Sequence, residues 1–442
     1  MIATLLLTLA APSAPAQAVS TPQNVLVILA DDVGCDMVGL FSGHPDAPPT
    51  PHIDALAASG VAFQAAYTDP ICSPTRACVL TGRYSFRTGV GNYLAPTPIL
   101  EHSLQPDEVT IPEALASVAP WPFDTSAIGK WHLTALPQSI ALGPNQQGFA
   151  WFEGVAGNLY LGQNFYSYTE IRNGVPTLET TYATTEQVDD ALARVAVMRE
   201  PWFLYLATSA GHQPWHAPPP ALHTYNLVGV PDASPNEHYR ASVQALDSEL
   251  GRLLAGIDPA VLARTTVILM GDNGSPNEVV TAPSISGKSK GTLFEGGVRV
   301  PLIISGPQVA FPGSQCYSLV NSVDLFPTVL DLCGVPPSAQ ATLRPHDGLS
   351  LTPYLAAPWR APLRSWVFAT KFLPNGFGPY TSIGRMIRSS RWKLIRRDGQ
   401  SDLFFDMASA QGENLNLAGA PMGLTERAAY GRLARQLDEL VR

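Results

Sequence analysis

Residues 24–32 read Asn24-Val25-Leu26-Val27-Ile28-Leu29-Ala30-Asp31-Asp32. From Val25 to Ala30 every side chain is apolar, and three are β-branched. A strand with one wet face alternates polar and apolar residues; a strand covered on both faces does not. This stretch is therefore read as a central strand, and two carboxylates close it. Working outward, three more runs share the design. Residues 126–128 run into Gly129-Lys130-Trp131-His132, and residues 202–207 (WFLYLA) end before His212. Residues 265–270 (TTVILM) run into Gly271-Asp272-Asn273, and residues 302–304 suggest a fifth strand.

Helical signals lie between them. Thr50-Pro51 opens a helix over residues 52–59, closed by Gly60, and Thr185 caps one running to about Arg199. Val243, Leu246, Leu250 and Leu253 keep helical spacing. Strands alternating with helices predict an α/β fold with a large, mostly parallel sheet flanked by helices on both faces. In such sheets ligands lie beyond the carboxyl ends of the strands. Asp31, Asp32, Lys130, His132, His212, Asp272 and Asn273 all fall there.

The pattern changes near the end. Residues 334–350, rich in Pro and small residues, read as a linker. Residues 366–371, 381–388, 392–396 and 402–406 read as short antiparallel strands, and residues 424–441 as a helix. The expected division is a signal peptide at 1–18, a catalytic domain at 19–345 and a smaller C-terminal α+β subdomain at 346–442.

The chain has 442 residues, enough for a large core and a smaller unit. A net charge of −9 argues against nucleic acid as a partner and requires any anion site to be built from a few local cations. Residues 2–11 are apolar and Ala16-Gln17-Ala18 is a small-x-small pattern, as in an export signal, although no Lys or Arg precedes it. No later run approaches the length of a membrane span. The expectation is a periplasmic or secreted protein with no stable membrane insertion. Of the five cysteines, Cys316 and Cys333 could pair in an exported protein or stay as buried thiols.

Cys72-Ser73-Pro74-Thr75-Arg76-Ala77-Cys78-Val79-Leu80-Thr81-Gly82-Arg83 is the most unusual stretch. Pro74 suits a first helical turn and Gly82 a helix end. Cys72 then falls at a helix N-terminus, a place that lowers a thiol's pKa and favours anions. The stretch resembles the Cys-x-Pro-Ser/Thr-Arg signature of the formylglycine-dependent sulfatases of the alkaline phosphatase superfamily, with Thr75 where most members carry Ser.

Other blocks extend the resemblance: Pro49-Thr50-Pro51-His52-Ile53-Asp54, Gly129-Lys130-Trp131-His132-Leu133, Gly211-His212, Lys290-Gly291-Thr292-Leu293-Phe294-Glu295-Gly296-Gly297 and, more loosely, residues 388–395. Cys35 departs from it, standing where relatives usually carry an aromatic residue. Asp-Asp and Asp-Asn-Gly also serve as turn residues, and Lys130, His132, His212 and Lys290 each have bland surface or core readings. Their occurrence together decides between the two.

The resemblance implies that Cys72 is oxidised to formylglycine (3-oxoalanine) by a formylglycine-generating enzyme. It implies that Asp31, Asp32, Asp272, Asn273 and residue 72 hold Ca2+, or Mg2+; the hard oxygen donors suit either ion. It makes the hydrated aldehyde the nucleophile toward a sulfate monoester. His212 would protonate the leaving alcohol with Lys290, Lys130 and Lys290 would hold the sulfate, Arg76 the hydrate and its cation environment, and His132 would take the second hydroxyl's proton.

The implied substrate is a sulfated small molecule or glycan, its choice set by loops 92–110, 150–180, 215–235 and 370–382. Rivals are a phosphodiesterase or phosphonate hydrolase of the same superfamily, and a non-catalytic binder of sulfated glycans using residues 385–397 if Cys72 stays a thiol. A two-zinc phosphatase is disfavoured, since such relatives usually place His where Asn273 stands.

Overall fold

In the computed structural model, residues 23–95, 102–135, 140–159 and 162–442 are described. The signal-peptide expectation at residues 1–18 lies outside them. Among the described residues, seventeen strands form three sheets. The largest contains β1 (Asn24–Ala30) and β2 (Gly60–Phe63), while β3 (Ala66–Tyr67) belongs to a small sheet. Then follow β4 (Asp124–Gly129), β5 (Trp151–Gly154), β6 (Tyr168–Arg172), β7 (Val175–Glu179), β8 (Trp202–Ala207) and β9 (Thr265–Gly271). Next come β10 (Arg299–Val300), β11 (Leu302–Ser305), β12 (Ser314–Cys316) and β13 (Val320–Asn321). The large sheet has the order β12-β2-β11-β9-β1-β8-β4-β5-β6-β7, and β10-β3-β13 form the small one.

Why β1 reads as uninterrupted apolar sequence is plain from its packing. Val25, Val27 and Leu29 enter one core cluster, and Leu26, Ile28 and Ala30 enter another on the opposite face. Helices Pro51–Ala58, Ala183–Val195 and Pro235–Gly256 cover the second face through Ile53, Leu56, Val188, Val243 and Leu250. Helices Cys72–Thr81, Ile111–Val118 and Leu325–Leu332 cover the first through Ala77, Leu80, Leu115 and Val329. The central strands β4, β8, β1 and β9 run parallel; β11 is antiparallel to both its neighbours, as β6 is to β5 and β7. The fold is thus the mostly parallel, doubly covered sheet anticipated from sequence.

The C-terminal strands β14 (Trp366–Leu373), β15 (Ser382–Ser389), β16 (Trp392–Arg397) and β17 (Leu403–Asp406) form an antiparallel meander. Helix Leu424–Leu440 covers one face through Ala429, Leu433 and Leu437. The other face packs on Tyr67, Leu293 and Val298, next to the large sheet. Thr370 N–H donates to buried Asp69 at 2.7 Å, three residues before Cys72. Lys371 Nζ donates to the Gly291 carbonyl at 3.0 Å, and buried Lys393 is held by Glu295 and Glu413 at 2.9 and 2.8 Å.

Two sequence expectations need correction, the Thr185 helix and the 334–350 linker. The helix assigned to Thr185 begins at Ala183 and ends at Val195, because the Thr185 hydroxyl donates to Glu249 at 2.6 Å instead of capping its own turn. Residues 334–350 are packed, not a free linker: they include helix Pro337–Gln340, and Asp347 accepts from Tyr84 N–H and from Arg87. Cys316 and Cys333 are both buried free thiols. No helix among the described residues is long and apolar enough to cross a membrane.

Candidate active site

Strands β4, β8, β1 and β9 are neighbours, and their carboxyl ends bring the polar residues together. Lys130 and His132 follow β4, His212 follows β8, Asp31 and Asp32 follow β1, and Asp272 and Asn273 follow β9. Cys72 is the first residue of its helix, which ends where Gly82 adopts φ +68° and its N–H returns to the Cys78 carbonyl. Every residue of that helix is buried. Closeness at the strand ends needs glycine: at Gly211, φ is +96° and a Cβ would lie 2.1 Å from the Asp31 carbonyl oxygen. Asp32 and His132 adopt φ of +59° and +62°. Non-glycine residues in that region cost about 1–3 kcal/mol each and persist where the surroundings fix them. A left-handed turn therefore brings His132 to the same place as Lys130.

Arg76 is the hub. Its Nε and Nη2 donate to Asp272 Oδ2 at 3.2 and 2.9 Å, its Nη1 to the Lys130 carbonyl at 2.6 Å, and Nη2 lies 3.6 Å from Asp31 Oδ1. Lys130 Nζ meets Asp31 Oδ2 at 2.5 Å and Lys290 Nζ meets Asp32 Oδ2 at 2.6 Å. His132 Nδ1 is 3.3 Å from Cys72 Sγ. His212 Nδ1 donates to the Gln213 carbonyl at 2.6 Å, and its Nε2 lies 3.8 Å from Asp32 Oδ2. Tyr239, beneath the site, donates to the Asp32 carbonyl at 2.7 Å.

Oxygen donors gather at the centre. One ligand atom each from Asp31, Cys72 and Asp272 lies within 4.8 Å of the others. Asp31 Oδ1 and Asn273 Oδ1 are buried without a hydrogen-bond partner, while Asn273 Nδ2 donates to Asp32 Oδ1 at 2.7 Å. Buried oxygens without donors are costly unless a cation satisfies them. The donor set therefore fits a hard divalent ion such as Ca2+ or Mg2+.

Electrostatics follow from this crowding. Burial works against the charge of Asp31, but Lys130, His212, Arg76 and Lys290 hold its carboxyl well below the usual range. Burial and neighbouring Asp31 push Asp272 up. Burial, then Lys130 and Arg76, keep His132 neutral, and burial with Lys290 lowers His212 to about 4. Cys72 contradicts the sequence expectation: its thiol is raised, because burial outweighs the helix N-terminus and the nearby lysines.

Above Cys72 opens a cavity of about 650 Å3, walled by Asn92, Tyr93, Asn158, Asn277, Glu278 and Lys371 and floored by Asp32, His212 and Lys290. Three of the four anticipated loops contribute. Loop 215–235 does not: Trp215 packs on Tyr239 and His216 stacks on Phe165. Tyr380, from the fourth loop, packs on Phe372. Nothing in the sequence marks Asn277, Glu278 or Gln213, nor the support from Tyr239 and from Gln187, whose side chain bonds Ser209 ahead of His212. No motif marks them; their roles arise only from tertiary contact. Four of the six basic residues of 385–397 engage the protein's own carboxylates: Arg388 and Lys393 at Glu295, Arg391 at Asp406, Arg396 at Asp402. That pairing leaves little of the stretch for glycan binding.

Comparison with known proteins agrees with the geometry. The family model described as sulfatase matches residues 23–335. Human arylsulfatase A is 30% identical over 92% of this chain and 86% of its own length. N-acetylgalactosamine-6-sulfatase of Canis lupus familiaris is 30% identical over 79% of this chain and 69% of its own. The crystal structure of Ps i-CgsB superposes with a TM-score of 0.77 at 26% identity, covering 95% of this chain and 93% of that one.

Proposed function

The chain belongs to the sulfatase family and is a sulfuric ester hydrolase, and we propose that it cleaves a carbohydrate sulfate monoester with a formylglycine made from Cys72 and a bound Ca2+ or Mg2+. One observation carries this reading: four strand ends, the Cys72 helix and the Lys290 loop meet around buried oxygens that lack donors. Asp31, Asp32, Asp272, Asn273 and residue 72 would hold the cation. The cation would polarise the sulfuryl oxygens, and the aldehyde hydrate would supply the attacking hydroxyl.

The chain's own side chains account for the rest. Lys130 and Lys290 bind sulfuryl oxygens as point charges. His212 delivers a proton from Nε2 to the departing alcohol oxygen; Nδ1 is committed to the Gln213 carbonyl, so Nε2 is the nitrogen left for substrate. Burial and Lys290 leave His212 neutral near pH 7, so the proton it delivers has to be gained in the substrate complex. His132, neutral and 3.3 Å from the Cys72 sulfur, accepts a proton at Nδ1 from the substituent of residue 72. Arg76 touches Asp272 and the Lys130 carbonyl, so it acts as a positioning residue.

Lys371 lines the cavity, and its one hydrogen bond among the described residues goes to a carbonyl. It offers a charge to a second anionic group on the sugar. The likeness to N-acetylgalactosamine-6-sulfatase puts hexosamine 6-sulfates first in a substrate panel. The same reading includes the division at residues 345/346, maturation by a formylglycine-generating enzyme, and export to the periplasm or medium. The mature N-terminus, read by sequencing, checks the export.

The decisive test pairs peptide mass across residue 72 with turnover of aryl sulfate, aryl phosphodiester and hexosamine 6-sulfate. Conversion of Cys72, preference for sulfate and loss of turnover in Cys72→Ala are expected. Full activity in Cys72→Ala, or preference for the phosphodiester, would overturn the proposal.

A further inference from the structure

A second cluster of carboxylates lies at the sheet edge, away from the catalytic groups. One oxygen each from Glu153 on β5, Glu170 on β6 and Asp190 on helix Ala183–Val195 lies within 4.8 Å of the others. One oxygen each from Glu170, Glu179 and Glu186 likewise lies within 4.8 Å of the others. Glu153, Glu170 and Asp190 are all buried. Arg172, opposite Glu153 in the β5–β6 register, is the basic residue paired with them: it contacts Glu153 and lies 3.3 Å from Glu170 and 3.9 Å from Asp190. Every Lys and Arg of the chain lies among the described residues. Five carboxylates thus face one half-exposed guanidinium.

A separate observation points to a ligand there. Tyr168 is 1% exposed, and its buried hydroxyl has no hydrogen-bond partner. Tyr168 lies two residues from Glu170 on the same face of β6, and the charges acting on its oxygen are Glu170, Glu186, Glu179 and Asp190. Asp190 Oδ2, on a side chain 8% exposed, is also without a partner. A buried hydroxyl and a buried carboxylate oxygen left bare, facing uncompensated negative charge, require a positive centre.

We propose that Glu170 and Asp190, with Glu153, Glu186 and the Tyr168 hydroxyl around them, bind a second divalent cation, Ca2+ by the all-oxygen chemistry of the donors. The ion joins β5 and β6 to helix Ala183–Val195. From that helix Gln187 donates to Ser209 Oγ at 2.8 Å and accepts from Ser209 N–H at 3.0 Å, three residues before His212. β5 leads on to Asn158 in the cavity wall. The site therefore braces two segments that shape the active site without touching substrate.

The competing account is a proton shared between Glu170 and Asp190; burial and the neighbouring carboxylates push Asp190 up to about 9. The two accounts differ in metal content. Full-length protein is stripped with chelator, equilibrated with Ca2+, desalted and counted by mass spectrometry, for wild type, Asp31→Asn and Asp190→Asn. Two ions are expected in wild type and one in each variant. Asp190→Asn should keep turning over aryl sulfate but melt at lower temperature, and Ca2+ should no longer raise that temperature as far.

Tb3+ luminescence gives a reading that needs no change at the cluster, because Trp151 Nε1 donates to Glu153 Oε2 at 3.1 Å and can sensitise an ion there. Emission should persist in Asp31→Asn and fall sharply in Trp151→Phe. A wild type with one ion that disappears in Asp31→Asn, or emission abolished by Asp31→Asn, would overturn the second site even if Asp190→Asn fails to fold.

Discussion

Arg76→Lys tests whether the guanidinium holds the site together or merely supplies charge. Arg76 is fully buried and makes three hydrogen bonds, two to Asp272 Oδ2 and one to the Lys130 carbonyl, with Asp31 Oδ1 3.6 Å away. A lysine keeps the charge and can meet the carboxylate, but it lacks the planar fork that reaches the Lys130 carbonyl as well. Two lost hydrogen bonds involving a charged group are worth about 1.5–3 kcal/mol each, or about 3–6 kcal/mol together. At about 1.4 kcal/mol per tenfold change, kcat/KM should fall about a hundred- to ten-thousandfold. The assay is aryl sulfate hydrolysis at saturating Ca2+. Since Arg76 also lies in the stretch that resembles the maturation signature, rates are divided by the converted fraction from peptide mass across residue 72. Near-ultraviolet circular dichroism confirms the fold. A normalised kcat/KM within about threefold of wild type would refute the reasoning, because charge alone would then suffice.

His216 accepts from the Tyr182 hydroxyl at 3.1 Å, donates to the Pro214 carbonyl at 3.0 Å, and is lowered to about 4 by burial. The native state thus binds fewer protons than the unfolded chain between pH 6.5 and 4, so stability is lost as pH falls through that window, by on the order of 3 kcal/mol. Urea melts at pH 7 and pH 4 should show a smaller acid loss in His216→Gln; an equal loss would exclude His216 as a source. Lys371→Ala should lower kcat/KM for a disulfated hexosamine about tenfold, and for the monosulfated sugar much less, since one charge-assisted hydrogen bond is removed; equal losses would remove Lys371 from specificity. Chelation should abolish sulfate release, with Ca2+ restoring it better than Mg2+; full activity after exhaustive chelation would show that the orphaned oxygens of Asp31 and Asn273 hold no required ion.

Much of the fold was legible because burial on both faces writes itself into β1, β8 and β9 as unbroken apolar sequence. The strand ends then marked Asp31, Asp32, Asp272 and His212 without knowledge of sheet order. The β5–β6–β7 edge was missed because its strands are four or five residues long, and β7 is largely exposed, so neither periodicity nor hydrophobicity stands out. The Cys72 thiol was misjudged for a different reason. A helix N-terminus can be read from Pro74, but the depth at which that helix lies cannot. Lys371, on β14, and Asn277, in the stretch that follows β9, reach the cavity from sequence that carries no motif, so only the folded chain identifies them.

The bonds from the C-terminal meander to Asp69, Gly291 and Glu295 have an evolutionary consequence. The backbone before Cys72 and the loop bearing Lys290 are both fastened by residues that occur after position 365 in the chain. That meander also supplies Lys371 to the cavity wall. Grafting the tail of one relative onto the body of another would therefore alter the reaction centre together with the preference for sugars. In this chain the segment that shapes the cavity and the anchors that keep Lys290 aligned are one piece of structure.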